Sequence, residues 1–212
     1  MTAGLRRFRF MWIILKMNNL PRFILLLVAA TLLMAGCRNS FTPKPRGYFR
    51  IELPDKAYQL LQGDYPYEFE YPIYSRATKY SGAFSNGDSA SYWINLEFPD
   101  YKGRIHLTYK EVKDNLPQLL DDAHTFAYKH SVLADAIGQA VFVDTLASVY
   151  GVMFDIKGNT ASSIQFYVTD SVRNFLRGAL YFDVQPNQDS LSPVIGFIRE
   201  DIEHLMETLR WK

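Results

Sequence analysis

The stretch Ala147–Val184 reads Ala-Ser-Val-Tyr-Gly-Val-Met-Phe-Asp-Ile-Lys-Gly-Asn-Thr-Ala-Ser-Ser-Ile-Gln-Phe-Tyr-Val-Thr-Asp-Ser-Val-Arg-Asn-Phe-Leu-Arg-Gly-Ala-Leu-Tyr-Phe-Asp-Val. Three runs rich in β-branched and aromatic residues, 147–157, 163–170 and 177–184, alternate with short polar breaks, which is the pattern of strands joined by tight turns. Gly158-Asn159 is a hairpin signal between the first two, because both residue types tolerate the left-handed backbone such turns need. Strands joined this closely pair antiparallel, since a parallel pair requires a long crossover.

Downstream the period changes from two to that of a helix. Ile195, Ile198, Ile202, Leu205 and Leu209 share one face, and Arg199, Glu200, Glu203, Glu207 and Arg210 fill much of the other. Ser192 is placed to cap this helix with Pro193 in its first position. His204 falls opposite the apolar stripe and is expected in solvent. Upstream, Ala140–Val143 reads as another strand. Before it, Leu116–Ala136 reads as a helix with Leu116, Leu119, Leu120, Ala123, Phe126, Ala127 and Ala134 inward, Asp114 or Asn115 as cap and Pro117 in the first turn. Ser91–Phe98 and Arg104–Tyr109 form a hairpin, residues 84–91 a polar turn around Asn86-Gly87-Asp88, and Tyr65–Tyr74 an edge strand with prolines. The order strands, helix, strands, helix gives an α+β fold: a largely antiparallel sheet packed by two main helices. In element order it resembles the PsbP/Mog1 sandwich.

Residues 1–36 have a different character. Arg22 precedes the apolar run Phe23–Gly36, and Met34-Ala35-Gly36 leads into Cys37, the single cysteine of the chain. A basic segment, a short apolar segment and small residues at the cut are the parts of a secretory signal. Cysteine at the cut resembles the lipobox of bacterial lipoproteins, which makes Cys37 the lipidated residue. The 14-residue run is shorter than the roughly 17–25 residues of a spanning helix. Met17 would open a more ordinary signal than Met1. Residues 37–47, with Pro43 and Pro45, read as the lipidated cysteine and an extended tether, and 48–212 as one domain. Beyond the leader the chain carries 18 basic and 22 acidic residues, a net charge of −4. That balance argues against nucleic acid, which is gripped by clustered Lys and Arg.

The sequence holds no Gly-x-Ser-x-Gly, His-Glu-x-x-His, phosphate-binding glycine loop or Cys-x-x-Cys. No catalytic residue, cofactor or metal is therefore expected. Asp121 and His124 lie one turn apart, but a metal site needs three or four ligands and spacing marks no others. His106 is read as a strand histidine and His130 as a satisfied core histidine. The turn from Lys157 to Ser163 is most simply a hairpin of small polar residues. Its Lys157 and Asn159, with Arg173 and Arg177, are the candidate partner-binding positions. Arg173, Arg177 and Arg199 are also read as able to gather round an anion, although scattered arginines more often pair with carboxylates or sit in solvent.

Several phrases then carry a resemblance. They are Pro43-Lys-Pro-Arg-Gly-Tyr-Phe-Arg-Ile, Ile105-His-Leu-Thr-Tyr-Lys, Ala127-Tyr-Lys-His, Asp155-Ile-Lys-Gly-Asn-Thr-Ala-Ser-Ser, Phe175-Leu-Arg-Gly-Ala-Leu-Tyr-Phe and Pro193-Val-Ile-Gly-Phe-Ile-Arg-Glu-Asp-Ile-Glu-His-Leu. Together they resemble the gliding-motility lipoprotein family GldD of Bacteroidetes-type bacteria. The resemblance implies a lipoprotein of the cell envelope needed for gliding and for the associated type IX protein secretion machinery. It implies envelope proteins of that apparatus as partners, and a membrane reached through the lipid on Cys37. Arg38-Asn39-Ser40 lacks an acidic run for surface display, so the domain is expected to face the periplasm. The expected role is a non-enzymatic interaction and assembly factor. The alternatives are a periplasmic enzyme or ligand-binding domain for peptidoglycan, glycan or peptide, with a deep polar pocket built on His130, Asp155 or Arg177, and a chaperone with an apolar groove.

Overall fold

In the computed structural model the three runs of 147–184 are strands β8 (Val149–Gly158), β9 (Ser162–Thr169) and β10 (Asn174–Phe182), shifted by one to three residues from the expected limits. The structure describes residues 23, 24, 27, 50–80 and 91–212. Cys37, most of the leader, the tether over 38–47 and the turn at Asn86-Gly87-Asp88 lie outside the described residues. The chain divides into two units between Gly47 and Tyr48, and every described strand lies in the second. No described helix is long and apolar enough to cross a membrane.

Four further strands extend the three into one sheet: β4 (Arg76–Lys79), β5 (Ile94–Phe98), β6 (Gly103–Glu111) and β7 (Ala134–Asp144). The order is β4-β5-β6-β10-β9-β8-β7, and each neighbouring pair is antiparallel. The expected hairpin of β5 and β6 is present, with Ile94 opposite Leu107 and Phe98 opposite Gly103. The β8–β9 turn passes through Gly158 at φ 113°, where a Cβ would lie 2.8 Å from the Leu133 carbonyl oxygen. Glycine is the residue that fits there. Gly178 serves another purpose. A Cβ on it would run into the Phe166 ring, so its bareness seats an aromatic ring across the strand pair.

Two small sheets flank the large one. β1 (Tyr58–Leu60) pairs with β3 (Glu70–Pro72), and β2 (Tyr67–Glu68) pairs with β11 (Arg210–Trp211). The Tyr65–Tyr74 segment is thus two short strands rather than one, because β2 and β3 turn to different partners. Helix α1 spans Leu116–Tyr128 and helix α2 spans Gln188–Thr208.

The two helices take opposite faces of the sheet. Side chains alternate along a strand, and on β10 Leu176 and Leu180 join the large core that contains Phe98, Ile198, Ile202 and Leu205 of the α2 side. Phe175 joins the smaller core beneath Leu119, Ala123 and Ala127 of α1. Each fully buried leucine or phenylalanine contributes about 1.5–3 kcal/mol of transfer free energy.

Three expectations are corrected. Helix α1 ends at Tyr128 and not at Ala136; a single 3-10 turn over Lys129–Val132 follows, and Ala134 opens β7. The reason is visible in the residues. The apolar stripe stops at Ala127, positions 130 and 131 are His and Ser, and β7 gains a ladder against β8 that runs from Ala134 to Asp144. Helix α2 begins at Gln188, where the Asn187 side chain accepts from the Ser190 N–H at 3.4 Å, so Ser192 is not its cap and Pro193 lies inside it. Pro193 there gives up one intrahelical bond. Phe126, placed inward by period, is 40% exposed.

Candidate functional site

Helix α1 is short, and the core beneath it is made by β8, β9 and β10 with Ala134 and Ile137 of β7 against it. Beside it the described residues leave part of the sheet uncovered. A cavity of about 400 Å³ lies there, floored by β6 and β10 through His106, Thr108, Arg177, Ala179 and Tyr181, with Trp93 on one flank and Phe126 of α1 on the other. Residues two apart on each strand supply this floor, as the pleat requires.

Arg177 is the central group. Its Nη2 donates to Gln165 Oε1 at 2.5 Å, and its guanidinium stacks 4.6 Å from the Phe126 ring centroid. It makes no ion pair among the described residues. Burial pushes the guanidinium below its usual range, while the adjacent Tyr181 opposes that shift; an arginine nevertheless keeps its charge. Gln165 is 2% exposed and its Nε2 has no partner among the described residues. Turning the amide over would aim its NH2 at the guanidinium donors, so the orphaned donor is the cost of holding Arg177 in place. His106 contacts Asn95 through Nδ1 at 2.6 Å. Burial first, and the Arg104 charge second, lower its pKa, so it stands neutral near pH 7.

A second polar cluster lies on the α2 face. Asp201 is 2% exposed inside the helix stripe. Its Oδ1 accepts from Lys56 Nζ at 2.7 Å, from the Tyr74 hydroxyl at 2.8 Å and from the Tyr58 hydroxyl at 3.1 Å. Burial raises the Asp201 carboxyl, and the bonds from Lys56, Tyr74 and Tyr58 pull it back. Tyr58 in turn is pushed up to about 12 by burial and by Asp201. Lys56 Nζ also donates to the Phe197 carbonyl at 2.6 Å and sits 3.5 Å from its ring centroid. The cluster staples residues 56–74 to α2, and its groups are spent on one another. His204 belongs to the same seam: it stacks on Tyr58 at 3.6 Å and pairs with Glu70 at 2.7 Å. The expectation of a solvent histidine is corrected, because β1 and β3 cover that flank of the helix.

The third feature is an edge. β7 ends the sheet, is paired only with β8 among the described residues, and spans 11 residues. Ala134–Asp144 contains neither lysine nor proline, the residues that usually blunt such an edge. Val141 and Val143 on it are exposed, and Leu146 just beyond is 99% exposed.

The four positions expected to meet a partner are not brought together. Lys157 and Asn159 are at the β8–β9 turn, where the Asn159 side chain accepts from the Gln188 N–H at 2.9 Å. Arg173 is exposed in the turn at the other end of β9, its carbonyl held by the Val112 N–H at 2.7 Å. Arg177 alone lines the cavity. Arg199 pairs with Asp155 at 3.1 Å on the α2 face, so the arginines do not converge on one anion and Asp155 cannot share a pocket with Arg177. His130 lies in the 3-10 turn, and its side chain is outside the described part of the molecule. His124 packs edge-on to Phe154 at 5.1 Å, and no group of three metal-ligating side chains occurs among the described residues. Sequence reasoning missed Asp201, Trp93 and Tyr181. An aspartate between Ile198 and Ile202 was the available signal for the first.

Comparison with known proteins gives two findings. A family model described as gliding motility lipoprotein GldD matches residues 38–211. Among solved structures the chain is similar to the solution structure of cyanobacterial PsbP (CyanoP) from Synechocystis sp. PCC 6803, with 12% identity, a TM-score of 0.46, 80% of this chain covered and 100% of that one. No curated protein matches.

Proposed function

The chain belongs to the gliding motility lipoprotein family GldD, and from that premise we propose that it acts in gliding and in type IX protein secretion as a non-enzymatic assembly factor. The lipid on Cys37 tethers it to an envelope membrane, and the domain faces the periplasm. Its partner is another envelope protein of the apparatus, which adds an extended segment to β7 as the next strand of the sheet.

The observation that carries this reading is the exposed edge, which is regular from Ala136 onward and irregular only at its Ala134 end. Along the 11 residues of β7, alternate residues turn their backbone donors and acceptors away from β8, with exposed Val141 and Val143 alongside. The polar clusters of the α2 face are engaged in holding the fold together, whereas the β7 edge is exposed. Mild crosslinking in the native envelope followed by recovery of the lipoprotein tests the idea. The wild-type protein brings down motor or secretion components. A Val141→Lys, Val143→Lys double variant loses them, with its melting temperature within a few degrees of wild type, since both side chains are already exposed. Equal recovery with both proteins, or recovery of no envelope component, sinks the proposal.

A further inference from the structure

The chamber beside α1 has the make-up of a small-molecule site. Its volume of about 400 Å³ lies in the range of roughly 300–1,000 Å³ typical of ligand pockets. Its walls are aromatic: Trp93 and Tyr80 on one side, Phe126 on the other, Tyr181 on the floor. Ala179 keeps that floor low, in the strand position between Arg177 and Tyr181.

The charges in it do not cancel. Arg177 and Lys110 are the cations lining the chamber, Asp122 is its single carboxylate, and His106 is neutral. One positive charge is left over, and it belongs to the deeper group. Arg177 has a neutral amide, an aromatic ring and the Tyr181 hydroxyl for neighbours, and no carboxylate within ion-pair distance among the described residues. A cation desolvated in this way is costly until an anion meets it. A planar guanidinium is also the group best matched to a two-oxygen anion, through paired N–H donors. Gln165 fixes one side of the fork and gives up the satisfaction of its own Nε2 in doing so.

We infer that this chamber binds an organic monoanion, a carboxylate on a flat apolar body, with the carboxylate on Arg177 and the body between Trp93 and Phe126. The site is separate from the β7 edge and does not depend on protein docking there.

The full-length lipoprotein in detergent micelles is titrated with 2-naphthoate, with neutral 2-naphthylmethanol and acetate as companion probes, by calorimetry and by the tryptophan fluorescence that a Trp93→Phe variant loses. The expected result is saturable binding of 2-naphthoate at one site, at least about tenfold tighter than the alcohol, that ratio being the worth of a charge-assisted pair. Acetate competes only weakly, because it lacks the apolar body. Arg177→Gln removes the tenfold preference and leaves the alcohol unchanged. Ala179→Leu raises the floor, keeps every charge, and weakens both aromatic probes; circular dichroism checks that each variant is folded. Where Arg177→Gln fails to fold, Ala179→Leu and Arg177→Lys carry the test, the lysine keeping the charge but losing the paired donors and most of the preference. Absence of saturable 2-naphthoate binding by the folded wild type overturns the inference. So does equal affinity for naphthoate and the alcohol, acetate binding as tight as naphthoate, or binding that survives Ala179→Leu.

Discussion

Two helices cover the two faces of one sheet, and they cover them unequally. Helix α2 has 21 residues and seven of them are buried; α1 has 13 residues and three are buried. On the α2 face the core runs from β5 through β6, β10 and β9 without a gap, and its buried carboxylate is met by a lysine and two tyrosines. On the α1 face the cover stops short. Among the described residues an arginine is left with an amide, an aromatic ring and a tyrosine hydroxyl, none of them an anion, beside a chamber. One face thus supplies stability and the other leaves room for recognition, and three substitutions grade that division.

The largest effect belongs on the α2 face. Leu180 is completely buried in the main core; Leu180→Ala loses its transfer free energy and leaves a cavity, and should cost about 2–5 kcal/mol in urea unfolding. A loss below about 1 kcal/mol would show that this face is loosely packed and would erase the contrast. Next comes Asp201→Ala. It strips the shared acceptor from Lys56, Tyr58 and Tyr74 and should cost about 2–3 kcal/mol. An unchanged denaturation midpoint would mean that residues 56–74 are held by their apolar contacts alone. The smallest effect is Phe126→Ala on the α1 face. The ring is 40% exposed and stacks on Arg177, so its removal should change stability by no more than about 1 kcal/mol. A larger loss would place α1 among the elements that hold the fold.

The central strands were legible because their signals are local. Gly158-Asn159 marks a turn by itself, and the runs 163–170 and 177–184 need no distant partner to be read as strands. The pairing of β2 with β11 was not legible, since Tyr67 and Trp211 carry no mark of one another. The extra turns given to α1 failed for a related reason: Ala134 suits either period, and the ladder with β8 decided between them. Arg177 lines the cavity, without the companions expected for it. Arg199 is one helix away on the opposite face with Asp155, and Arg173 sits in a turn. Composition brings arginines to attention, and only the sheet register says which way each points. Trp93 and Tyr181 read as ordinary strand aromatics until the short reach of α1 left them beside a cavity.

The pairing of β2 with β11 also bears on the order of events during folding. Arg210 and Trp211 lie against Glu68 and Tyr67, the Lys212 N–H reaches the Pro66 carbonyl at 3.0 Å, and the Trp211 indole reaches the Ser148 carbonyl at 3.2 Å. A chain synthesised amino end first holds residues 67 and 68 long before residues 210 and 211 exist. β1 and β3 can pair at once, being close in sequence. β2 must wait for its partner, so its pairing with β11 is a closure of high contact order that fastens late, like a latch.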